Sequence, residues 1–261
     1  MVSGGRLHRC YRVVADGTPR FLKTCRAAHA DTLSAEADGL AALAANGLRV
    51  PAVFELGVEG DTAFLLLEFL ELHGNADFAA LGRRLASAHL RAGPRYGWHR
   101  DNFIGTTPQR NAWCDDWAEF FRTRRIEPQL ALARKNGHAL EAPAVEALLA
   151  GHDPRPALLH GDLWSGNAGF VREAAGVSPV VFDPAVYYGD PEADLAMTEL
   201  FGGFPADFYA AYDAVLPRAP GYATRKHLYN LYHLLNHLNL FGAGYLAQVQ
   251  ATLGLLRDAL E

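Results

Sequence analysis

Hydrophobic and polar positions change rhythm once along this chain, near residue 70. Before it, short apolar runs lie beside turn signals. Residues 11–14 (Tyr-Arg-Val-Val) and 21–24 (Phe-Leu-Lys-Thr) flank Asp16-Gly17, which predicts a β-hairpin. Asp31 stands as a cap before a helical pattern with Leu33, Leu40 and Leu43 inward, ending near Gly47. Residues 53–58 and 63–69 flank Glu59-Gly60-Asp61, a second hairpin signal. After Leu70 the spacing turns helical: Phe78, Leu81, Leu85 and His89 share one face, and Trp113, Trp117, Phe120 and Phe121 another. Two short apolar runs, 157–159 and 180–182, interrupt the pattern as strands. Asp190-Pro191 opens a helix through Leu200, and helical spacing dominates from Tyr222 onward. The expected architecture is α+β: a strand-rich lobe over residues 1–70, a linker near 69–75, and a larger, mainly helical lobe over 71–261.

Composition narrows the class without changing the architecture. In 261 residues, 24 Lys and Arg face 29 Asp and Glu, for a net charge of −5. That balance argues against a nucleic-acid binder that works by neutralising phosphates, but a nucleotide ligand needs only a few local cations. Half the residues are hydrophobic, enough for a core without metal or disulfide staples. Cys10, Cys25 and Cys114 form no CxxC pair and read as reduced thiols. No apolar run reaches the ~20 residues of a membrane span, and the first residues lack the apolar stretch of a signal peptide. A cytoplasmic monomer without membrane or nucleic-acid partners is the expectation.

The chemistry concentrates at His160-Gly-Asp-Leu-Trp-Ser-Gly-Asn167, between the two short strands, with Asp183 at the end of the second. Phosphoryl transfer from ATP needs a carboxylate to aim the attacking hydroxyl, oxygen ligands for Mg²⁺ and a cation on the phosphates. Asp162 fits the base. Asn167, five residues on, and Asp183 fit the metal ligands, the interval being that of a kinase catalytic loop. Of the three lysines, only Lys23 lies in a strand of the first lobe, and Glu36 on the following helix is placed to pair with it. Gly4 and Gly5 precede the first hairpin and offer backbone amides to phosphate. No Walker motif and no G-x-G-x-x-G is present.

These residues resemble the fructosamine kinase (ketosamine 3-kinase) family, within the aminoglycoside phosphotransferase-like, protein-kinase-like fold. The resemblance rests on segments 160–170 and 182–204, on 96–105, on Asn111-Ala-Trp113 with Trp117, and on 229–240, and so spans most of the chain. It implies a bilobal kinase that uses ATP and Mg²⁺ to phosphorylate the 3-hydroxyl of a ketosamine, a sugar joined to an amine such as a glycated lysine, and thereby repairs glycation. It implies Asp162 as base, Asn167 and Asp183 on Mg²⁺, Lys23 on the phosphates and Glu36 orienting Lys23. The linker backbone at Glu68, Phe69 and Leu70 would receive adenine, and His160 and Asp194 would brace the loop. Gly4-Gly5-Arg6 departs from the family's glycine loop. Cys10 lies beyond the place where some members carry a redox-active cysteine, so that property does not transfer.

Other polar and aromatic positions carry two readings. Trp164 offers a face to a sugar or a protonated amine, or packs under the loop. Trp98, Arg100, Asp101 and Asn102 either line the acceptor side or form a structural loop held by Asn102 and Asp101. Tyr187 and Tyr188 shape the pocket or only pack. His233 and His237 have zinc spacing without a third ligand; with Asn230, Asn236 and Asn239 they read as a polar stripe facing another element. Rival functions are a kinase for aminoglycosides or choline-like alcohols, and a nucleotide-binding pseudokinase.

Overall fold

Asp16 and Gly17 both take positive φ, 50° and 74°, as a two-residue hairpin of mirror-image type requires, and the strands around them pair antiparallel. They are β1 (Arg9–Ala15) and β2 (Thr18–Arg26) in the computed structural model, which describes residues 8–74, 76–174 and 176–261. A 3-10 turn at Ala27–His29 leads into α1 (Ala30–Ala45), so Asp31 falls in the first helical turn rather than at the cap. The second hairpin forms β3 (Val53–Glu59) and β4 (Thr62–Glu68), and the sheet order is β1-β2-β4-β3, all antiparallel. Leu33, Leu40 and Leu43 of α1 are buried with Leu65 and Leu67 of β4.

Beyond β4, Asp77 caps α2 (Phe78–His89) by accepting from the Ala80 amide at 2.8 Å. A short ribbon, β5 (Asn102–Ile104) with β6 (Thr107–Gln109), follows. Trp117 starts α3 (Trp117–Phe121), which runs through a π turn at Arg122–Ile126 into α4 (Glu127–Lys135). Trp113, expected on that helical face, lies in the loop before it. After α5 (Val145–Leu148) comes β7 (Ala157–Leu159), fully buried, then the hairpin β8 (Ala168–Glu173) and β9 (Gly176–Val181). β10 (Tyr187–Gly189) returns to pair with β7. Asp190 caps α6 (Pro191–Leu200), accepting from the Glu192 amide at 3.0 Å. Helices α7 (Ala206–Asp213), α8 (Tyr222–Phe241) and α9 (Leu246–Asp258) complete the chain.

One apolar cluster joins the two halves, from Leu33 and Leu65 through Leu81 and Leu85 to Leu234 and Leu235. Each such leucine contributes roughly 1.5–3 kcal/mol by leaving water. Arg125 is also wholly buried: its guanidinium lies 3.9 Å from the Tyr187 ring centre and donates to the Arg110 carbonyl at 2.6 Å and to Asn111 Oδ1 at 2.8 Å. Among the described residues no helix is long and apolar enough to cross a membrane.

Candidate active site

Strand β7 ends in a loop that hangs from one buried carboxylate. Asp194, on α6, accepts from the His160 amide at 2.7 Å and from the Gly161 amide at 2.9 Å. His89 of α2 approaches the same carboxylate at 3.3 Å and reaches the Tyr212 hydroxyl with its other nitrogen at 2.8 Å. Burial works against the Asp194 charge, but the bond from His89 and the surrounding donors hold its carboxyl below the ordinary value. His160 is buried, which pushes its imidazole down and keeps it neutral, and its Nε2 lies 3.0 Å from the Phe182 carbonyl. Gly161 has φ +81°, and a Cβ there would collide with the Ala185 carbonyl. A glycine is therefore built into the turn that presents the next residue, Asp162.

Asn167 Nδ2 donates to the Asp162 carbonyl at 2.8 Å and to Asp162 Oδ2 at 3.1 Å. That leaves Asp162 Oδ1 and the Asn167 amide oxygen for other partners. Asp183 follows β9 with φ 55°, a left-handed backbone rare outside glycine, and its side chain is half exposed to the same space. Lys23 of β2 is 6% exposed; its ammonium donates to Glu36 Oε1 at 2.7 Å and to Asp183 Oδ1. The five groups line one cavity of about 420 Å³. Burial, and then the Asp183 charge, pushes the Asp162 carboxyl up to about 7. Burial likewise raises Glu36 against the pull of Lys23. Burial alone would lower Lys23, but Glu36 and Asp183 outweigh it and raise it, so the ammonium is charged. Burial would raise Asp183; Lys23 overrides that and holds it low. Two carboxylates, Glu36 and Asp183, thus face one ammonium, and the hard oxygen donors of Asp183 and Asn167 on the same cavity fit a divalent cation.

Trp164 lines this cavity, 36% exposed, with its ring edge-on to Phe201 at 6.2 Å. Asn102 lines it too, but its amide is spent on the Val186 carbonyl at 2.7 Å and on accepting from Gln109 and Asn111. Trp98 and Asp101 do not line it. Trp98 is buried and donates to Asp38 Oδ2 at 2.9 Å; Asp101 Oδ1 accepts from the Asn111 amide at 2.7 Å. Their expected place on the acceptor side gives way to the structural one. Glu68 is forked onto Arg49 at 2.5 and 2.7 Å, and its amide already donates to the Ala52 carbonyl at 2.8 Å. Glu68, Phe69 and Leu70 lie outside the lining of the cavity. Gly4 and Gly5 fall outside the described residues. His233 and His237 make no metal pair: His237 Nδ1 bonds the His233 carbonyl at 2.9 Å, and its ring packs on Phe201 and Phe241.

Two parts of the site escape sequence reasoning. The cavity's far wall comes from residues 103–106 of the β5–β6 turn and from Asn236, His237, Leu240 and Phe241 at the end of α8. The other part is a tether on α1, the helix that carries Glu36. Trp98 and His99 reach Asp38 at 2.9 and 3.2 Å, and Arg100 donates to Ser34 at 3.0 Å and pairs with Asp31. Asp31, Ser34 and Asp38 follow i, i+3, i+7 spacing, so one helical face is fastened to one loop. That spacing was the available signal.

A four-stranded antiparallel sheet over a helical body, with a lysine–glutamate pair and an Asp-x-x-x-x-Asn loop facing a second aspartate, defines an ATP-dependent phosphotransferase of the kinase-like class. Within that class the chain belongs to the fructosamine kinase family, whose model matches residues 1–258. A Synechocystis protein named a probable ketoamine kinase is 48% identical over 97% of this chain and 88% of its own length. The protein-ribulosamine 3-kinase of Arabidopsis thaliana, named as chloroplastic, is 39% identical over 94% of this chain and 78% of its own. A solved structure named for fructosamine-3-kinase, from Haemophilus somnus, superposes with a TM-score of 0.90 at 31% identity, covering 98% of this chain and 89% of that one. The aminoglycoside phosphotransferase APH(4)-Ia shares the fold, with a TM-score of 0.60 at 16% identity over 99% of this chain and 91% of its own.

Proposed function

We propose that this chain phosphorylates the 3-hydroxyl of ketosamines with ATP, taking ribulosamine or fructosamine adducts of amines and lysines as acceptors. The observation that carries the reading is the convergence of Asp162, Asn167, Asp183 and the Lys23–Glu36 pair on one cavity, in a chain of this family. Asp162 Oδ1 is left to take the acceptor hydroxyl's proton and to aim its oxygen, while Asn167 holds Oδ2. Lys23, kept charged and fixed by Glu36, pairs with phosphate oxygens. Asn167 and Asp183 would hold Mg²⁺, which supplies charge neutralisation on the phosphates. Residues 1–70 act as the nucleotide-covering lobe, with adenine toward the 69–70 backbone, and residues 71–261 supply the catalytic loop and acceptor wall. Trp164, exposed beside the base, offers its face to the sugar or the protonated amine. Loss of a proton from C1 gives an enaminol that expels the 3-phosphate as inorganic phosphate, and water then hydrolyses the resulting imine to the free amine and a 3-deoxyosone, so glycation is reversed.

The test measures ADP release on ribulosamine and fructosamine conjugates beside aminoglycosides and choline. Ketosamines are expected to be turned over, and Asp162→Asn to lower kcat by about 10²–10⁴-fold while the protein stays folded. Turnover of aminoglycosides or choline alone overturns the acceptor, and near-normal turnover in the variant overturns the base.

A further inference from the structure

Four side-chain amides run as a directed chain from the surface to the cavity. Asn136 Nδ2, just past α4, donates to Asn239 Oδ1 at 3.1 Å. Asn239 Nδ2, on α8, donates to Gln129 Oε1 at 2.8 Å. Gln129 Nε2, on α4, donates to Asn236 Oδ1 at 3.2 Å. Asn236 is 3% exposed and lines the cavity that holds Asp162.

An amide chain can in principle run either way, because oxygen and nitrogen look alike. One contact here breaks the symmetry. Asn239 Nδ2 also donates to the Gln129 backbone carbonyl at 3.0 Å, and a carbonyl oxygen only accepts. The atom of Asn239 facing Gln129 is therefore nitrogen. Gln129 must then turn Oε1 toward Asn239 and Nε2 toward Asn236, and Asn236 must turn Oδ1 toward Gln129. Its Nδ2, which has no hydrogen-bond partner among the described residues, is left for the cavity. Nδ2 is not among the sealed, unpartnered polar atoms, so this donor opens onto the cavity, where it can meet an acceptor atom.

We propose that Asn236 is an acceptor-binding residue whose Nδ2 donates to an oxygen of the sugar other than the one being phosphorylated, and that Gln129 and Asn239 are positioning residues that keep nitrogen rather than oxygen facing the substrate. The identity of the acceptor as a ketosamine rests on the function proposed above; the donor geometry does not. Asn236 thereby selects for a hydroxyl at one ring or chain position. A site that hydrogen-bonds a hydroxyl rejects the deoxy analogue far better than an apolar wall rejects an extra group.

The experiment compares wild type, Asn236→Ala and Gln129→Glu on a series of mono-deoxy acceptors. Its parent compound is whichever ketosamine or other sugar the wild type phosphorylates fastest, so failure of the ketosamine reading changes the acceptor and not the test. Asn236→Ala is expected to raise the acceptor KM roughly three- to tenfold, leave the ATP KM unchanged, and abolish discrimination against one deoxy compound. Gln129→Glu, with acceptor oxygens only, should pull Asn236 Nδ2 away from the cavity and reproduce the loss with an unchanged melting temperature. The doubly substituted protein should show no further loss. An acceptor KM and deoxy discrimination unchanged in Asn236→Ala overturn the proposal, as does an equal rise in the ATP KM, which would mark a merely structural role. If the wild type turns over no acceptor, the side-chain amide resonance of Asn236 is followed as a ribulosamine adduct is added to the ADP-saturated protein. A shift supports the proposal, and none overturns it.

Discussion

At Asp162 the environment decides the chemistry. Burial and the neighbouring Asp183 raise its carboxyl to about 7, where a carboxylate is a far better proton acceptor than at its ordinary value near 4. The pairing of Asp162 with Asn167 was legible, because the Asp-to-Asn interval encodes a hydrogen bond that the structure contains. The roles of Trp98 and Asp101 were not: a polar-aromatic loop reads alike whether it faces a cleft or a helix, and only packing decides. His233 shows a second burial effect. Its Nδ1 finds no partner among the described residues, and burial drives its pKa down to about 3, against an ordinary value of 6.5. Below about pH 6.5 the unfolded chain takes up a proton that the folded one refuses, so stability is full above that pH and falls as pH drops toward 3. The cost is roughly 1.4 kcal/mol per pH unit. Urea unfolding should show His233→Leu losing about 1.4 kcal/mol less than wild type between pH 7 and pH 5.5; equal losses would dismiss the assignment.

Elements were legible where turn chemistry and period agreed. Asp16-Gly17 and Asp190 mark their hairpin and helix starts because each satisfies backbone groups locally. The reading of Trp113 as helical failed because Asp116, whose side chain accepts from the Glu119 amide at 2.7 Å, starts α3 after it. The stripe of asparagines on α8 was visible as polar, yet nothing in its spacing said which amide atom faced the cavity. The tether on α1 carries the prediction at this scale. Glu36 holds Lys23 only while α1 lies against the sheet and the 98–100 loop. Asp38→Asn combined with Arg100→Ala should lower kcat about three- to tenfold, about 1 kcal/mol of lost helix positioning, with little change in acceptor KM. Steady-state kinetics with both substrates varied will show it, and an unchanged kcat would remove the tether from catalysis.

On the scale of the whole molecule, the change of rhythm near residue 70 separates the four-stranded sheet from the helical part, and the polar groups lining the cavity come from both sides of it. Sequence alone named the contributors but not the space they enclose, since the far wall is assembled from a turn and a helix end more than a hundred residues apart. A ligand held by both halves should stabilise the fold by mass action. A non-hydrolysable ATP analogue with Mg²⁺ at about a hundred times its Kd should add about 2.7 kcal/mol in chemical denaturation. A chelator should remove most of that gain, and a gain indifferent to chelation would speak against Asn167 and Asp183 as ligands. The fastened α1 has a consequence for the resting site. Kinases that switch do so by swinging this helix away; here three anchors along one flank, reinforced where Gly39 abuts Pro184 and Val186, oppose that swing. A helix so fastened keeps Glu36 against Lys23 in the resting protein.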